Sequence, residues 1–393
     1  MSRGRPKVAV IYHFFPHYRR AVVEALARSS SADFIFIGDD HEYLYSIEPA
    51  KLSDGVHFRL APSHLLIRPF MWQWGAITQA IRSEFDIVIM HAVPYWPCTW
   101  IGGLAARLMG KRVLFWGHGH LCRPTGLKGF LRRLFYAIPT EHLVYSHLAK
   151  SYLIETGWMP ERVHVIYNSL DVDEQIRIRD RMESVGSTLT RREIFGDSSV
   201  PVVICTTRLI PMRRIDLLFM AVARLNASDI KVNVILVGDG PERERLEKIA
   251  RDLGLCVHFE GACYDEERIA KLILASNVTV SPGKVGLTVM HSLVYGVPVV
   301  THEDPDDQAP EFEAVIPGKT GSVFQSGDVE SLSDAIRPWV QAQTVPPDVQ
   351  RACRDLIKRF WNPTFQRRAI ERAVLGYPAN DLFDAEEDRA NVK

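Results

Sequence analysis

The sequence lacks an excess of charge of either sign, a long uninterrupted apolar run and a recognisable leader. Its 47 Lys and Arg residues balance 47 Asp and Glu residues, so the chain has no overall basic field of the kind that attracts nucleic acid. Charged residues or prolines interrupt each long apolar run, and no transmembrane helix is predicted. The start MSRGRPKVAVIY has no small-residue cleavage site, which argues against a signal peptide. These absences favour a cytoplasmic protein that does not bind nucleic acid and that meets anions at a local site.

Cysteine pairs and metal-ligand spacings are also missing. The six cysteines form no C-x-x-C pair, and Cys205 and Cys256 lie inside apolar runs, so we expect buried, reduced thiols. The histidines show no spacing typical of a metal site. Asp304-Pro305-Asp306 reads D-x-D, but it lies in a polar connection, where acidic turns are common. We therefore expect neither a metal nor another cofactor.

The chain contains two series of short apolar segments rich in Val and Ile, and each segment is followed by one of helical periodicity. The first series begins at Val8 and the second at Val202. This alternation predicts an α/β fold with parallel sheets, and 393 residues exceed what one core usually supports. We therefore predict two Rossmann-like domains that face each other across a cleft. The expected division is an N-terminal domain over residues 1–172, a linker over 173–198, a C-terminal domain over 199–355, a helix over 356–376 that returns to the first domain, and a tail over 377–393.

Two loops that follow predicted strands in the second half could hold a diphosphate. Arg208 and Arg213 follow the strand at 202–206, and guanidinium groups form bidentate hydrogen bonds with phosphate oxygens. Gly238 and Gly240 follow the strand at 232–237, where a glycine turn lets a ligand approach the backbone. The alternatives are a solvated basic turn and an ordinary G-D-G-P helix start.

The most informative segment is VTVSPGKVGLTVMHSLVYGVPVV, which begins at Val278. A strand leads into a glycine-containing loop, and a helix is predicted over Leu287–Tyr295. The N-terminus of this helix directs unpaired N–H groups and a positive dipole end toward the strand edge, which suits a diphosphate. Thr288 adds a hydroxyl, and His291 is placed to reach a ribose or a phosphate unless it is simply packed.

The order of these segments resembles the donor domain of the family-4-type retaining glycosyltransferases of the GT-B fold. The similarity spans residues 201–325 through TRLIPMRR, ILVGDGPERER, VHFEG, SPGKVGLTVMHSLVYGVPVV and PEFEAVIPGKTGSVF. WGHGH and VHVIYNSLD extend it more loosely into the first half. The resemblance implies transfer of a sugar, with retention, from a UDP- or GDP-linked donor to a glycan or lipid-linked acceptor in surface polysaccharide or glycolipid synthesis. It also implies that the first domain binds the acceptor and the second the donor.

Residue by residue, the resemblance implies that Arg208 and Arg213 hold the donor diphosphate, the second standing where the family usually has lysine. His118 of WGHGH stands where the family has its active-site histidine and would face the transferred sugar. These three residues are the expected catalytic groups. The expected donor-binding residues are Gly238, Gly240, Glu260, Gly261, Ala262, Gly283, Lys284, Val285, Gly286, Leu287, Thr288 and His291.

The sequence departs from the family at two glutamates that normally stand eight residues apart in this loop and helix. Gly283 and His291 occupy the matching positions. His291 could replace the ribose contact, since an imidazole can accept or donate a hydrogen bond. Glu311 and Glu313 could supply a carboxylate.

The acceptor side is expected to involve His13, His17 and Arg19, which follow the first strand. Residues 123–136, within RPTGLKGFLRRLFYAIP, resemble a basic amphipathic helix of the kind that lies on membranes. A second stretch, SHLLIRPFMWQWGAI, contains the large apolar residues Phe70, Met71, Trp72 and Trp74. If exposed, the two would dock on the inner face of the cytoplasmic membrane and admit a lipid-linked acceptor; the alternative is a pair of core-packed helices with snorkelling arginines.

Two other functions fit the same diphosphate site. A nucleotide-sugar epimerase or hydrolase on this fold would hold the donor but need no acceptor. A non-catalytic nucleotide-binding homologue would keep the arginines and the helix start after losing the two glutamates.

Overall fold

The computed structural model describes residues 4–43, 47–120, 123, 125–183, 186–228 and 230–379. Among them the chain forms two compact units, one reaching to Asp171 and resuming at Trp361, the other running from Val172 to Phe360. Each unit is built on a parallel sheet with helices between successive strands, which confirms the α/β class and the pair of Rossmann-like domains. The C-terminal part of the expected tail, 380–393, lies outside the described residues.

The first unit has a seven-stranded parallel sheet and a separate hairpin. Its strands are β1 (Lys7–Phe14), β2 (Asp33–Asp39), β3 (Phe58–Leu60), β4 (Ser63–Ile67), β5 (Phe70–Gln73), β6 (Ile87–His91), β7 (Arg112–Gly117), β8 (Glu141–Val144) and β9 (Val163–Val165). Its helices are α1 (Arg20–Ala27), α2 (Ala76–Ile81), α3 (Pro97–Leu108), α4 (Gly126–Tyr136) and α5 (His147–Glu155). The sheet order is β3-β2-β1-β6-β7-β8-β9, and β4 pairs with β5 in antiparallel fashion. The order reverses between β1 and β6, and at such a switch point open α/β sheets bind ligands beyond the carboxyl ends of the strands.

The second unit has a six-stranded parallel sheet. Its helices are α6 (Val172–Glu183), α7 (Ser187–Phe195), α8 (Ile215–Ala227), α9 (Arg243–Asp252), α10 (Glu266–Leu274), α11 (Thr288–Val294), α12 (Val329–Gln341) and α13 (Pro347–Arg359). Its strands are β10 (Val202–Thr206), β11 (Asn233–Val237), β12 (Val257–Gly261), β13 (Val278–Ser281), β14 (Val299–His302) and β15 (Gly321–Phe324). The order β12-β11-β10-β13-β14-β15 places the switch point between β10 and β13. The loops after these two strands contain the predicted arginines and the predicted glycine loop.

The chain returns to the first unit through α14 (Pro363–Val374). Asn362 caps this helix by accepting a hydrogen bond from the Phe365 N–H at 2.9 Å, and Pro363 occupies its first turn, where no N–H is needed. The buried face of α14 packs on α1 and β9.

Three sequence expectations differ from the structure. The segment 173–198, expected as a linker, contains α6 and α7, and α6 buries Val172 and Ile178 on one face and packs on α10. The stretch with Phe70 and Trp72 is the β4–β5 hairpin, not a helix. Cys256 is exposed because it lies in the connection that precedes β12, so the expectation of a buried thiol is wrong there, while Cys205 is buried in β10.

Candidate functional site

The switch point of the second sheet brings the loop after β10 against the loop after β13. Arg213 ends a 3-10 helix and donates a hydrogen bond from Nη1 to the Lys284 carbonyl. Gly283 lies so close to the other loop that a Cβ atom added there would lie 3.0 Å from the Arg213 Cα and closer still to the Met212 carbonyl oxygen. Glycine is therefore required for this contact, and the guanidinium of Arg213 stays at the edge of the sheet.

Gly238 and Gly240 serve the packing of two backbones. Both have positive φ values, 139° and 159°, and a Cβ atom at either position would overlap the carbonyl oxygen of Thr207 or Leu209. The Leu209 N–H donates to the Asp239 carbonyl at 3.0 Å, and this hydrogen bond holds the loop after β11 against the loop after β10. The two glycines thus allow the loop after β11 to pack closely against the loop after β10, which contains Arg208.

Arg208 and Lys284 place further positive charge beside Arg213. Arg208 is exposed, and its guanidinium forms no ion pair with any described residue. Arg213 is half-buried, its Nε has no hydrogen-bond partner, and burial lowers the pKa of its guanidinium without bringing it near neutral pH. The edge of the second sheet therefore presents three cationic side chains, each at one of the two switch-point loops.

The start of α11 is fixed by a glutamine that the sequence did not indicate. Gln308 is buried and accepts a hydrogen bond from the Val285 N–H at 2.8 Å, while its amide donates to the Thr301 hydroxyl and the His302 carbonyl, each at 2.9 Å. The Val285 N–H is thus already engaged in a hydrogen bond within the protein. The N–H groups of Gly286, Leu287 and Thr288 donate to no described residue.

His291 and Glu260 each contact an ionisable side chain within the second unit. His291 Nε2 lies 3.3 Å from a carboxylate oxygen of Glu266, at the start of α10. Glu260 accepts two hydrogen bonds from Arg268, at 2.6 and 2.7 Å, and lies 2.7 Å from His258; these contacts, Arg268 first, hold the pKa of its carboxyl below the usual range. Glu266 is a residue that sequence reasoning missed, since its contact with His291 joins two helices far apart in the chain.

The other expected donor-side residues lie around the same edge. Gly261 has φ 84° and its carbonyl accepts the Gly238 N–H at 2.8 Å, while Ala262 is exposed. Glu311 is buried in the 3-10 helix Pro310–Ala314, which packs on α11 and also contains Glu313. The Asp304 carboxylate accepts the Asp306 N–H at 3.1 Å and so caps a turn. In the described part of the chain, no three His, Cys, Asp or Glu residues are grouped closely enough to hold a metal ion.

The switch point of the first sheet gathers imidazoles and a buried guanidinium. The rings of His13, on β1, and His91, at the end of β6, stack with their centroids 5.1 Å apart. Arg19 donates to the Tyr145 hydroxyl, and the ring of His118 packs against the Tyr145 ring with centroids 5.0 Å apart. Burial, with a smaller effect of Arg19, lowers the pKa of His13 to about 3, so this imidazole is neutral at pH 7.

Three of the expected residues of the first unit therefore meet, and a fourth does not. His13, Arg19 and His118 belong to one cluster, whereas His17 is exposed and packs edge-on against its neighbour Tyr18. His91 was missed as a member. Its position at the end of a strand beside β1 is the signal that could have indicated it, because carboxyl ends of parallel strands meet at one edge.

The first unit also exposes large apolar side chains on α4 and around the β4–β5 hairpin. Leu127 and Phe130 of α4 are 75% and 56% exposed, and Leu131 and Leu134 follow them on the same helix. Ile67 and Trp74, on and beside the β4–β5 hairpin, are 72% and 59% exposed. Within the described ranges, no helix combines the length and the apolar character needed to cross a bilayer. The part of 121–125 that precedes α4 lies largely outside the described residues.

A cavity of about 160 Å³ lies elsewhere in the second unit. Its lining includes Arg191, Ser276, Gly296 and Arg354. Ser276 and Gly296 lie just before the amino ends of β13 and β14. It is thus at the opposite edge of the sheet from the arginine and glycine loops.

Comparison with known proteins assigns both halves of the chain. The family "Glycosyl transferases group 1" matches residues 188–358, and "Glycosyltransferase Family 4" matches residues 7–174. A GDP-mannose-dependent α-(1-6)-phosphatidylinositol monomannoside mannosyltransferase of Mycolicibacterium smegmatis is 28% identical over 277 residues, 65% of this chain and 67% of that protein. A lipopolysaccharide core biosynthesis glycosyltransferase, LpsE of Rhizobium meliloti, is 27% identical over 59% of this chain and 65% of its own length. The crystal structure of a glycosyltransferase from Rickettsia africae matches the fold with a TM-score of 0.71 at 14% identity, covering 95% of this chain and 100% of that one.

Proposed function

Because the chain belongs to the group 1 glycosyltransferases of the GT-B fold and transfers a sugar from a nucleotide-sugar donor, we propose that the donor is a GDP-linked hexose and the acceptor a membrane glycolipid. The mannosyltransferase relative supports both parts of the proposal, since its name gives GDP-mannose as donor and a phosphatidylinositol mannoside as acceptor. A UDP-linked donor is the alternative that the test below distinguishes. Retention of anomeric configuration is part of the proposal and rests on the family resemblance.

The observation that carries the proposal is the cationic switch point of the second unit. Arg208, Arg213 and Lys284 lie at the carboxyl ends of β10 and β13, where the loops leave backbone N–H groups at 286–288 without acceptors. As the sugar bond breaks, negative charge grows on the leaving diphosphate. Fixed cations and N–H donors that are already in place stabilise this charge without reorganising, which lowers the barrier.

The two positions where family glutamates are absent receive different assignments. At Gly283 no side chain fits, so we propose that contacts to the transferred sugar come from backbone in this loop. At His291 the imidazole is held by Glu266 at 3.3 Å, and we propose that this pair binds the ribose hydroxyls in place of a glutamate. His118, exposed at the end of β7, is proposed to face the transferred sugar.

We also propose that the protein works at the inner face of the cytoplasmic membrane. The exposed apolar side chains of α4 share the helix with Lys128, Arg132 and Arg133, and this combination suits an anionic bilayer surface. A glycolipid acceptor would then reach the first unit from the bilayer.

The test of the donor proposal is isothermal calorimetry of the protein with GDP, UDP and ADP. We expect GDP to bind and the affinity to fall at least tenfold in Arg208→Ala and in Arg213→Ala, since charge-assisted bonds to phosphate are worth about 1.5–3 kcal/mol each. Arg251→Ala, at an exposed arginine beyond this edge, is the matched control and should bind like the parent. Binding of UDP alone would reassign the donor, and binding of none of the three would refute the nucleotide site.

A further inference from the structure

Arg19 is a buried cation to which the described residues offer no counter-charge. Only 6% of its surface is exposed, and its Nη1 is buried with no hydrogen-bond partner. The guanidinium lies 5.4, 5.3 and 5.2 Å from the ring centroids of Tyr12, Trp116 and Tyr145, and it donates to the Tyr145 hydroxyl. No carboxylate of the described residues forms an ion pair with it.

Packing alone does not account for such a group. Aromatic faces attract a guanidinium, but they leave its net charge in place. Burying an ion costs more than such contacts return, and a partner of opposite charge normally offsets that cost. An apolar side chain would fill the same space at lower cost, so the charge at this position points to a ligand that supplies the missing anion.

Besides the three aromatic rings, the cluster contains the imidazoles of His13, His91 and His118. Nδ1 of His13 and Nδ1 of His91 are both buried with no hydrogen-bond partner. Burial lowers the pKa of His91 most, and the other contributions come from His13, Arg19 and His118, all of which lower it as positive charges do. The cluster therefore combines one fixed positive charge with imidazoles that can donate hydrogen bonds, and no carboxylate in the described part of the chain pairs with Arg19.

The cluster is also reachable. His118 is exposed, and His13 and His91 each keep part of their surface accessible to solvent, so a ligand can approach the cluster from the side of the histidines. They lie at or just after the carboxyl ends of β1, β6 and β7, at the switch point of the first sheet, which is where this sheet would bind a ligand.

We propose that Arg19, His13, His91 and His118 bind an anionic oxygen group of the acceptor, a phosphate or a carboxylate. This inference rests on the proposed function, which places the acceptor on the first unit, and it adds that the acceptor is an anion rather than a neutral glycan. Arg19 supplies the charge from behind, and the neutral imidazoles donate hydrogen bonds to the oxygen atoms.

The probe is inorganic phosphate, and the readout is NMR of ring-labelled histidines in the full chain with GDP at saturation to occupy the donor site. We expect phosphate to shift the His13 and His91 ring resonances at pH 7, and Arg19→Gln to weaken this binding at least tenfold. Arg20→Gln, whose exposed side chain pairs with Glu24, removes the same charge one residue away and should leave the binding unchanged. A parallel titration with acetate distinguishes a carboxylate ligand from a phosphate.

A second variant guards against misfolding of Arg19→Gln. His118→Gln alters an exposed side chain, so its fold should persist while phosphate binding weakens several-fold. If neither phosphate nor acetate moves the two rings, or if Arg19→Gln folds and binds phosphate like the parent, the inference is wrong. GDP binding in the same samples reports separately on the donor site, so its loss would contradict the proposed function and not this inference.

Discussion

At the scale of single residues, Gly283 is required by the packing of the two loops at the switch point of the second sheet. A Cβ atom at this position would lie 3.0 Å from the Arg213 Cα and still closer to the Met212 carbonyl oxygen, whereas a Cβ at Gly286 meets nothing within 4 Å. We expect Gly283→Ala to lower the free energy of unfolding by about 1–3 kcal/mol, in the range of overpacked sites, and to weaken nucleotide binding because Arg213 moves. The free energy of unfolding of Gly286→Ala, measured in urea, should lie within about 0.5 kcal/mol of that of the parent. Equal stability of the two variants would contradict the packing argument.

The same residue pair shows how far sequence reasoning reaches at this scale. The loop with Gly283 and Gly286 could be located because a glycine loop followed a strand and preceded a helix. Which glycine is required depends on contact with a loop about 70 residues earlier, and no local pattern contains that information. Gly238 is similar: its turn was predicted, but its overlap with the Thr207 carbonyl is a tertiary fact.

At the scale of secondary-structure elements, α4 and the β4–β5 hairpin expose apolar side chains within the basic stretch 55–140. Between residues 55 and 140 the sequence has ten Lys and Arg residues but only two acidic ones, Glu84 and Asp86, although the whole chain is neutral. We expect the protein to bind vesicles that contain phosphatidylglycerol, more weakly as salt rises, since each basic residue near an anionic surface contributes about 1 kcal/mol. The double variant Phe130→Ser with Leu134→Ser should reduce binding at least tenfold in a flotation assay. Leu189→Ser, at a side chain of α7 that is 50% exposed, is the control; equal loss in the control would refute a specific surface on α4.

Helices and strands could be predicted where the apolar pattern was strong, and they were missed where tertiary contacts determine the local structure. The strands β10 and β13 have the bounds that their apolar runs predict. The hairpin was missed because LLIRPFMW is apolar without alternation, and the side chains that face outward carry no polar signal. In α6 the buried face is narrow and its other positions are charged, so a packed helix resembled a solvated linker.

At the scale of the whole molecule, the histidines whose pKa burial lowers to about 4 or below lie in the first unit. In the first unit burial lowers the pKa of His142 and of His13 to about 3 and that of His120 to about 4. In the second unit burial also lowers the pKa of His302. The free energy of unfolding of the first unit should therefore depend on pH in the acid range.

The sign of that response follows from proton linkage. A histidine whose pKa is about 6.5 in the unfolded chain and about 3 in the folded one binds its proton mainly in the unfolded chain between these two values. The first unit should therefore lose stability as the pH falls from 6.5 towards 4, by up to about 1.4 kcal/mol per pH unit for each such histidine.

Seven of the eight tryptophans belong to this unit, so urea unfolding followed by tryptophan fluorescence measures its stability almost alone. In His142→Gln, whose side-chain amide can still donate to the Tyr136 carbonyl, the slope of stability against pH should decrease, because one proton-binding group of the unfolded chain is gone. Parallel slopes for the variant and the parent would show that His142 is protonated in the folded protein and that burial does not keep it neutral.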